Sequence, residues 1–301
     1  MKTNKNKSIA FIGLGQMGSG MAALLVKSAV SLLVLDLDPE KVTQLESLGA
    51  TDAKDIETIR EKCEIVFICL PDEHYVQDLL FKESGLLSSQ SNIKIIVDTS
   101  TISFSKAQSF SLRAQSVGVE YCDCPVSGLP KRSWDGTLTM MFGGPPETFN
   151  DVKPYLDLMG NDILHCGTAG SGQMTKAINN IIYNINIAGL CEVLPIAVKA
   201  GLDPSLLEEL VLGGSSRSFA SEHFVPRIMQ RKFDYDYPMA LAFKDIANIK
   251  DITQSFNVET PLVNAMTGIY ERTLAEGHGA EPKSAMIKIY ENELDVIVRK
   301  P

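Results

Sequence analysis

Short apolar runs alternate with helical patterns through the first half of the chain, and this alternation constrains the fold more than any other feature. Within each run the apolar residues follow one another instead of alternating with polar ones, which is typical of parallel strands covered by helices on both faces. Strand and helix in regular succession predict an α/β fold built on a doubly wound parallel sheet. The predicted strands are residues 9–12, 32–35, 65–70, 93–97, 119–122 and 137–142.

The second half of the chain has almost no strand pattern. Residues 172–199 form one long helical pattern that is apolar on most faces. Such a helix is expected to be buried on all sides, and in a domain this small part of that burial would come from another subunit. The sequence predicts an α/β domain over residues 1–166 and an all-α domain over residues 167–301. Further predicted helices are 204–212, 238–256, 261–276 and 283–298.

Composition narrows the class of protein. The net charge of −9 and the pI of about 5.1 argue against a general nucleic-acid binder. The N-terminus lacks the apolar stretch of a signal peptide, and no uninterrupted apolar run is long enough to span a membrane. No two of the six cysteines have the CxxC spacing of a zinc or redox site, and the four histidines show no ligand spacing. We therefore expect a cytoplasmic protein, with an organelle matrix as the alternative, that has no metal site and no membrane or nucleic-acid partner.

A glycine-rich run follows the first predicted strand and opens a helix. In that context the pattern predicts the dinucleotide-binding turn of a Rossmann domain. Gly13 would allow the tight turn, Gly15 the approach of the pyrophosphate, and Gly18 close packing of helix on strand. A glycine-rich turn without a ligand is the alternative. All six residues are predicted cofactor contacts: Gly13, Leu14, Gly15, Gln16, Met17 and Gly18.

Acidic residues follow the next strands. Asp36 ends the second predicted strand, where a carboxylate accepts hydrogen bonds from ribose hydroxyls and repels a 2′-phosphate. No arginine follows it immediately, so we expect NAD, with NADP the weaker choice. Asp38 is a second candidate for this role, with a helix N-cap as its alternative. Leu70, Pro71 and Asp72 leave the third strand where cofactor contacts are expected, although a simple turn fits them equally.

Four further motifs, taken in order, carry a family resemblance. From residue 9 to about residue 291 the chain resembles the β-hydroxyacid dehydrogenase family, which includes 3-hydroxyisobutyrate dehydrogenase, tartronate semialdehyde reductase and the longer 6-phosphogluconate dehydrogenase. The motifs are Asp98-Thr99-Ser100-Thr101-Ile102, Asp123-Cys124-Pro125-Val126-Ser127-Gly128, the strand and glycines at 136–144, and the turn at 167–172 before a helix with Lys176, Asn179 and Asn180.

By this resemblance Lys176 is the catalytic lysine, and Asn180 is its partner one turn later on the same helical face. Asn179 is a candidate substrate contact. Alcohol oxidation needs a base for the hydroxyl proton, and carbonyl reduction needs the same group as an acid. A lysine has an ordinary pKa of about 10.4, which burial and a positive nicotinamide ring would lower. A surface lysine with a helix-stabilising asparagine is the alternative.

The resemblance also implies the remaining contacts. Ser127 and Gly128 begin a turn that grips the substrate carboxylate, and Thr101 lies between nicotinamide and substrate. Lys244 reaches back over the cofactor. Leu129 is also assigned to the substrate site, but it stands where the family has a second glycine. We therefore expect a different turn geometry or pocket there.

A basic turn follows, where small residues are common in the family. It contains Lys131, Arg132 and the chain's only tryptophan, Trp134. Lys131 or Arg132 is a candidate to bind a second anionic group of the substrate. A solvated basic turn is the alternative.

These residues predict an NAD-dependent oxidoreductase that transfers a hydride between the cofactor and a small 3-hydroxyacid or its semialdehyde, with its site in an interdomain cleft. A homodimer or homotetramer is expected. The alternatives are an imine or other carbonyl reductase on the same scaffold, which usually replaces the lysine, and a non-catalytic dinucleotide-binding protein. The sequence leaves open 3-hydroxyisobutyrate, 4-hydroxybutyrate, glycerate and a larger sugar acid, and also the direction of reaction.

Overall fold

The computed structural model describes residues 9–88, 91–235, 237–243, 246 and 256–300. The chain divides into two compact units, Met1–Lys176 and Ala177–Pro301. The division falls inside a long helix, ten residues after the domain boundary expected from the sequence.

The described part of the first unit is built on a nine-stranded sheet in the order β3-β2-β1-β4-β5-β6-β8-β7, with β9 paired to β8. The order reverses direction between β1 and β4, the position where α/β sheets bind ligands. The predicted Rossmann fold is confirmed. The strands are β1 (Ile9–Ile12), β2 (Leu32–Leu35), β3 (Thr51–Asp52), β4 (Ile65–Ile68), β5 (Ile95–Asp98), β6 (Glu120–Asp123), β7 (Val126–Ser127), β8 (Leu138–Gly143) and β9 (Gly160–Gly167).

Helices connect the strands, and aspartates begin three of them. Asp38, Asp55 and Asp72 each accept a backbone N–H from the first turn of the helix that follows. The capping interpretation of Asp38 is therefore confirmed. The helices are α1 (Gly18–Lys27), α2 (Pro39–Glu46), α3 (Ile56–Lys62), α4 (Glu73–Phe81), α5 (Phe104–Gln115), α6 (Pro130–Asp135), α7 (Pro146–Met159) and α8 (Ser171–Lys199).

Apolar side chains cover the sheet on both faces. On one face Phe11 and Phe67 stack with ring centroids 6.2 Å apart. On the other face Phe110 meets the edge of Tyr121 at 5.9 Å. Burial on both faces explains why these strands carry continuous apolar runs.

The sheet is not parallel throughout, and here the prediction was incomplete. β8 runs antiparallel to β6 and β7. The short connection through α6 explains the antiparallel pairing of β7 and β8, because a parallel return needs a crossover of a dozen or more residues. β3 and β7 are too short to leave a sequence pattern. β9 is largely polar and partly exposed, so its sequence resembled a domain boundary.

The second unit is helical in its described part. Its core is polar in places: Asn184, in α8, accepts the Tyr270 hydroxyl at 2.6 Å. Buried Glu291 accepts Arg231 at 2.5 Å and the Val298 N–H at 2.7 Å. The predicted helix at 238–256 lies mostly outside the described residues, and the one predicted at 283–298 ends early. Helices after α8 are α9 (Pro204–Gly213), α10 (Phe219–Met229), α11 (Pro261–Ala275), a 3₁₀ turn (Lys283–Met286) and α12 (Ile287–Leu294).

The expectation that α8 is buried on all sides is wrong for a single chain. Ile178, Ile182, Val193 and Ile196 are each more than half exposed. By length and composition alone α8 would be able to cross a membrane, a test that core helices of soluble proteins also pass.

The start of α8 depends on the absence of a side chain at Gly172. A Cβ there would collide with the Met141 carbonyl oxygen and lie 2.8 Å from an Asp123 carboxylate oxygen. We expect Gly172→Ala to destabilise the protein by about 1–3 kcal/mol, as overpacking does. The control Gly268→Ala, in exposed helix with no described atom within 4 Å of the new Cβ, should stabilise by up to ~1 kcal/mol. Thermal unfolding of both variants tests this, and equal melting temperatures would contradict it.

Candidate active site at the carboxyl ends of the strands

The glycine-rich turn lies between β1 and α1, at the position where the strand order reverses. Gly13 has a φ of 92°, and a Cβ there would collide with the Cys69 carbonyl oxygen beyond β4. A Cβ on Gly18 would collide with the Gly13 carbonyl oxygen. A Cβ on Gly15, by contrast, would have no described atom within 4 Å of it. Two glycines are thus required by the fold itself, whereas Gly15 faces open space.

The N-terminus of α1 differs from those of α2, α3 and α4. Met17 makes no side-chain cap, and no acidic residue lies in the first turn. The three later helices each begin with a capping aspartate and a glutamate. The free N–H groups and positive end of α1 are therefore suited to an anion such as a diphosphate. Gly15 provides the space and α1 provides the donors, so these residues fit a dinucleotide.

Asp36 lies beside this turn. Its carboxylate accepts the Leu14 N–H at 2.5 Å and the Asp38 N–H at 2.8 Å. The Lys41 ammonium lies 3.9 Å away, and the Asp36 side chain is 13% exposed. The residue expected to contact ribose is therefore fixed next to the glycine-rich turn with a small part of its carboxylate exposed.

The segment after β4 is tied to the segment after β5. The Leu70 N–H donates to the Ser100 hydroxyl at 2.8 Å, and the Thr99 hydroxyl donates to the Ile68 carbonyl at 2.8 Å. Asp72 caps α4 through the N–H groups of His74 and Tyr75, which agrees with the turn alternative for that residue.

Two buried carboxylates end neighbouring strands, Asp98 on β5 and Asp123 on β6, and they are paired in register. Asp98 accepts the Tyr121 hydroxyl at 2.6 Å and the Ser100 N–H at 2.8 Å. Burial raises the pKa of both carboxyls, that of Asp123 to about 7. Burial and the Asp98 charge also raise the pKa of the Tyr121 hydroxyl. The sequence assigned neither carboxylate a role, although each is an aspartate at the end of a buried strand.

Asp123 holds the beginning of α8. Its two oxygens accept the N–H groups of Gly170 at 2.5 Å and Gln173 at 2.7 Å. The buried Gln173 side chain then contacts the loop after β5: its amide nitrogen donates to the Ser100 carbonyl at 2.8 Å, and its oxygen accepts the Ile102 N–H at 3.2 Å. Gln173 was also missed from the sequence.

Lys176 is half-buried one turn into α8. Its ammonium donates to the Val126 carbonyl at 2.6 Å, and Val126 immediately precedes the predicted carboxylate turn at Ser127 and Gly128. β7 holds that turn by pairing Val126 with Met140 and Ser127 with Thr139 of β8. The lysine and the turn are therefore adjacent.

The turn itself requires glycine at one position only. Gly128 has a φ of 145°, and a Cβ there would lie 2.8 Å from Leu138. Leu129, where the family has a second glycine, has an ordinary extended backbone with φ −74° and is 48% exposed. The expected change of turn geometry is thus not required, and Leu129 changes the surface instead. The Arg132 guanidinium donates to the Thr137 carbonyl, whereas Lys131 is exposed.

The first unit thus gathers most of the predicted site at one edge of its sheet. Asn179 and Asn180 lie further along α8, in the second unit, and Lys244 lies outside the described residues. The predicted residues gathered in the first unit are 13–18, Asp36, 70–72, Thr101, 127–129 and Lys176.

Comparison with known proteins identifies the family. Residues 8–167 match the family profile described as the NAD binding domain of 6-phosphogluconate dehydrogenase. Residues 170–290 match the profile described as "NAD-binding of NADP-dependent 3-hydroxyisobutyrate dehydrogenase".

Individual relatives match over nearly their full lengths. The chain is 34% identical to 2-(hydroxymethyl)glutarate dehydrogenase of Eubacterium barkeri over 98% of both chains. It is 32% identical to 2-hydroxy-3-oxopropionate reductase of Escherichia coli K12, covering 94% of this chain and 97% of the relative. The solved 3-hydroxyisobutyrate dehydrogenase of Mycobacterium tuberculosis with L-serine superposes with a TM-score of 0.83 at 27% identity, covering 94% of this chain and 98% of the other. The chain belongs to the β-hydroxyacid dehydrogenase family and is an NAD-binding oxidoreductase that acts on CH–OH groups.

Proposed function

We propose that this protein interconverts a small 3-hydroxyacid and its semialdehyde with Lys176 as the acid/base. The observation that carries the proposal is the position of the Lys176 ammonium, 2.6 Å from the carbonyl oxygen of Val126 and next to the turn at Ser127 and Gly128. One lysine placed beside a carboxylate-binding turn would face the hydroxyl of a substrate whose carboxylate occupies that turn.

The names of the relatives support a common substrate skeleton. 3-Hydroxyisobutyrate, L-serine and 2-(hydroxymethyl)glutarate are all HOCH₂–CHX–COO⁻ compounds, in which X is methyl, ammonium or a propionate arm. 2-Hydroxy-3-oxopropionate is the aldehyde of the same skeleton with X a hydroxyl. We propose that this protein acts on a member of this class, with the primary hydroxyl as the reacting group.

Each residue then has a defined task. Backbone N–H groups at Ser127 and Gly128 hold the carboxylate, and Thr101 borders the reacting carbon. Lys176, as the neutral amine, takes the hydroxyl proton during oxidation and, as the ammonium, returns it during reduction. Asn180 orients the lysine and the substrate oxygen. Bound NAD supplies the hydride acceptor.

Asp36 supports NAD over NADP for this chain. Its carboxylate is fixed beside the glycine-rich turn by the Leu14 N–H and would repel a 2′-phosphate. Lys41, 3.9 Å from Asp36, pairs more closely with Asp38 at 3.5 Å.

We also place the protein in the cytoplasm, because all six cysteines are free thiols, as is typical of a reducing compartment.

Lys176→Ala tests the proposed chemistry. We expect kcat to fall about 10²–10⁴-fold, the usual contribution of general acid–base catalysis, while NAD binding is kept. The measurement is NADH formation with 3-hydroxyisobutyrate, L-serine, 2-(hydroxymethyl)glutarate and glycerate, and NADH consumption with their semialdehydes. Lys199→Ala, an exposed lysine at the far end of the same helix, is the matched control. Full activity of Lys176→Ala, or no turnover of any of these compounds by native protein, would contradict the proposal.

Gly15→Ala and Gly18→Ala separate cofactor binding from folding. Gly15→Ala should have the same melting temperature as the native protein. It should bind NAD at least about tenfold more weakly, a loss of ~1.4 kcal/mol, because its methyl group fills the space left for the diphosphate. Gly18→Ala should lower the melting temperature, since its Cβ collides with the turn itself. Calorimetry of unfolding and NAD titration measure both. Native affinity in folded Gly15→Ala would show that the cofactor does not use this turn.

We further propose that the protein is a homodimer or homotetramer in which α8 meets another copy. The exposed Ile178, Ile182, Val193 and Ile196 support this, because so much exposed apolar surface on one helix is typical of an interface. Sedimentation should show an oligomer of the native chain and a smaller species for Ile182→Glu. Leu112→Glu, at a leucine on α5 that is even more exposed than Ile182, is the control. A native monomer would refute the assembly.

A further inference from the structure

Gln173 is a buried polar residue whose side chain hydrogen-bonds to both chain neighbours of Thr101. It is 3% exposed. Its amide nitrogen donates to the carbonyl of Ser100 and its amide oxygen accepts the N–H of Ile102, the residues immediately before and after Thr101. A carbonyl on one side and an N–H on the other determine which way the amide points. Both ends of the amide are therefore used to hold one loop.

The backbone of Gln173 fixes a second segment. Its N–H donates to the Asp123 carboxylate, which also accepts the Gly170 N–H, so the first turn of α8 is fastened to the end of β6. Lys176 follows three residues later in the same rigid helix, with its ammonium on the Val126 carbonyl. Gln173 thus contacts the Thr101 loop with its side chain and belongs to the helix turn that carries Lys176.

We propose that Gln173 is a positioning residue for hydride and proton transfer, because it sets the location of Thr101 relative to Lys176. The inference rests on the proposed function and extends it. Oxidation requires the reacting carbon, bordered by the Thr101 loop, and the hydroxyl proton, received by Lys176, to be in place together. A displacement of about 1 Å in such an arrangement lowers the rate by up to about 10²-fold. A buried apolar side chain of the same size would fill the same volume but would not orient the Thr101 loop.

The test compares two substitutions in the same turn of α8. Gln173→Met keeps the volume and removes both hydrogen bonds to the loop. Thr175→Val, the control, removes a hydroxyl that donates to the Ser171 carbonyl at 2.8 Å within the helix start and also interacts with the Cys166 thiol. For Gln173→Met we expect kcat to fall about 10- to 100-fold, with little change in KM or in the NAD dissociation constant. The primary deuterium isotope effect of a carbon-deuterated substrate should rise, and backbone amide exchange of residues 99–102 should accelerate. Thr175→Val should retain native kinetics.

Several outcomes would overturn the inference. Native kcat in folded Gln173→Met would do so. Losses of kcat in both variants that simply follow their losses of melting temperature would also do so, because they indicate a purely structural role. If Gln173→Met does not fold, Gln173→Asn, which shortens the amide by one methylene, undergoes the same measurements with the same expectations. Failure of the proposed function is distinguishable, since native protein would then turn over no substrate, or Lys176→Ala would remain active. Failure of this inference alone leaves both of those results intact.

Discussion

The buried carboxylate of Asp123 is the interaction on which the rest of the site depends. Removing a carboxylate from water is costly unless it is hydrogen-bonded. Two N–H groups at the start of α8, from Gly170 and Gln173, supply those bonds, and the positive end of the helix adds to them. Because α8 is continuous from Ser171, fastening its first turn also fixes where Lys176 leaves the helix. The carboxylate at the end of β6 therefore sets the position of the proposed acid/base.

Asp98 extends this arrangement to the neighbouring strand. Adjacent strands lie about 4.8 Å apart, so two carboxylates paired in register have a separation set by the sheet. Asp98 holds the Thr101 loop through the Ser100 N–H, and Asp123 holds α8. Burial raises the pKa of both carboxyls, but each oxygen that accepts an N–H favours the charged form. The loop at Thr101 and the start of α8 are thus both attached to the ends of central strands.

The sequence predicted the sheet, the glycine-rich turn and Lys176 because each leaves a local pattern: an apolar run, a glycine spacing, a lysine in an apolar helix. It did not predict a role for Gln173, because the Gln173 side chain contacts Ser100, a residue 73 positions away in the sequence. Asp123 belongs to a motif recognised in the sequence, but its burial and its two N–H donors are visible only in the folded chain. β9 was missed because an exposed edge strand needs no apolar run.

The departure at Leu129 also has a physical interpretation in the fold. Its backbone lies in an ordinary extended region, so replacing a glycine there leaves the turn unstrained, whereas Gly128 beside it allows no side chain. Arg132, a candidate for a second anion, donates to the Thr137 carbonyl and packs against Gly128, so it supports the turn. In the proposed substrate class, HOCH₂–CHX–COO⁻, the carboxylate would meet the turn at Gly128 and the hydroxyl would meet Lys176. The side chains of Leu129 and the exposed Lys131 would then be the ones that this turn presents to the group X. The positions of Gly128 and Lys176 would stay the same. Under this proposal, substitutions at Leu129 or Lys131 would change selectivity for X without moving Gly128 or Lys176.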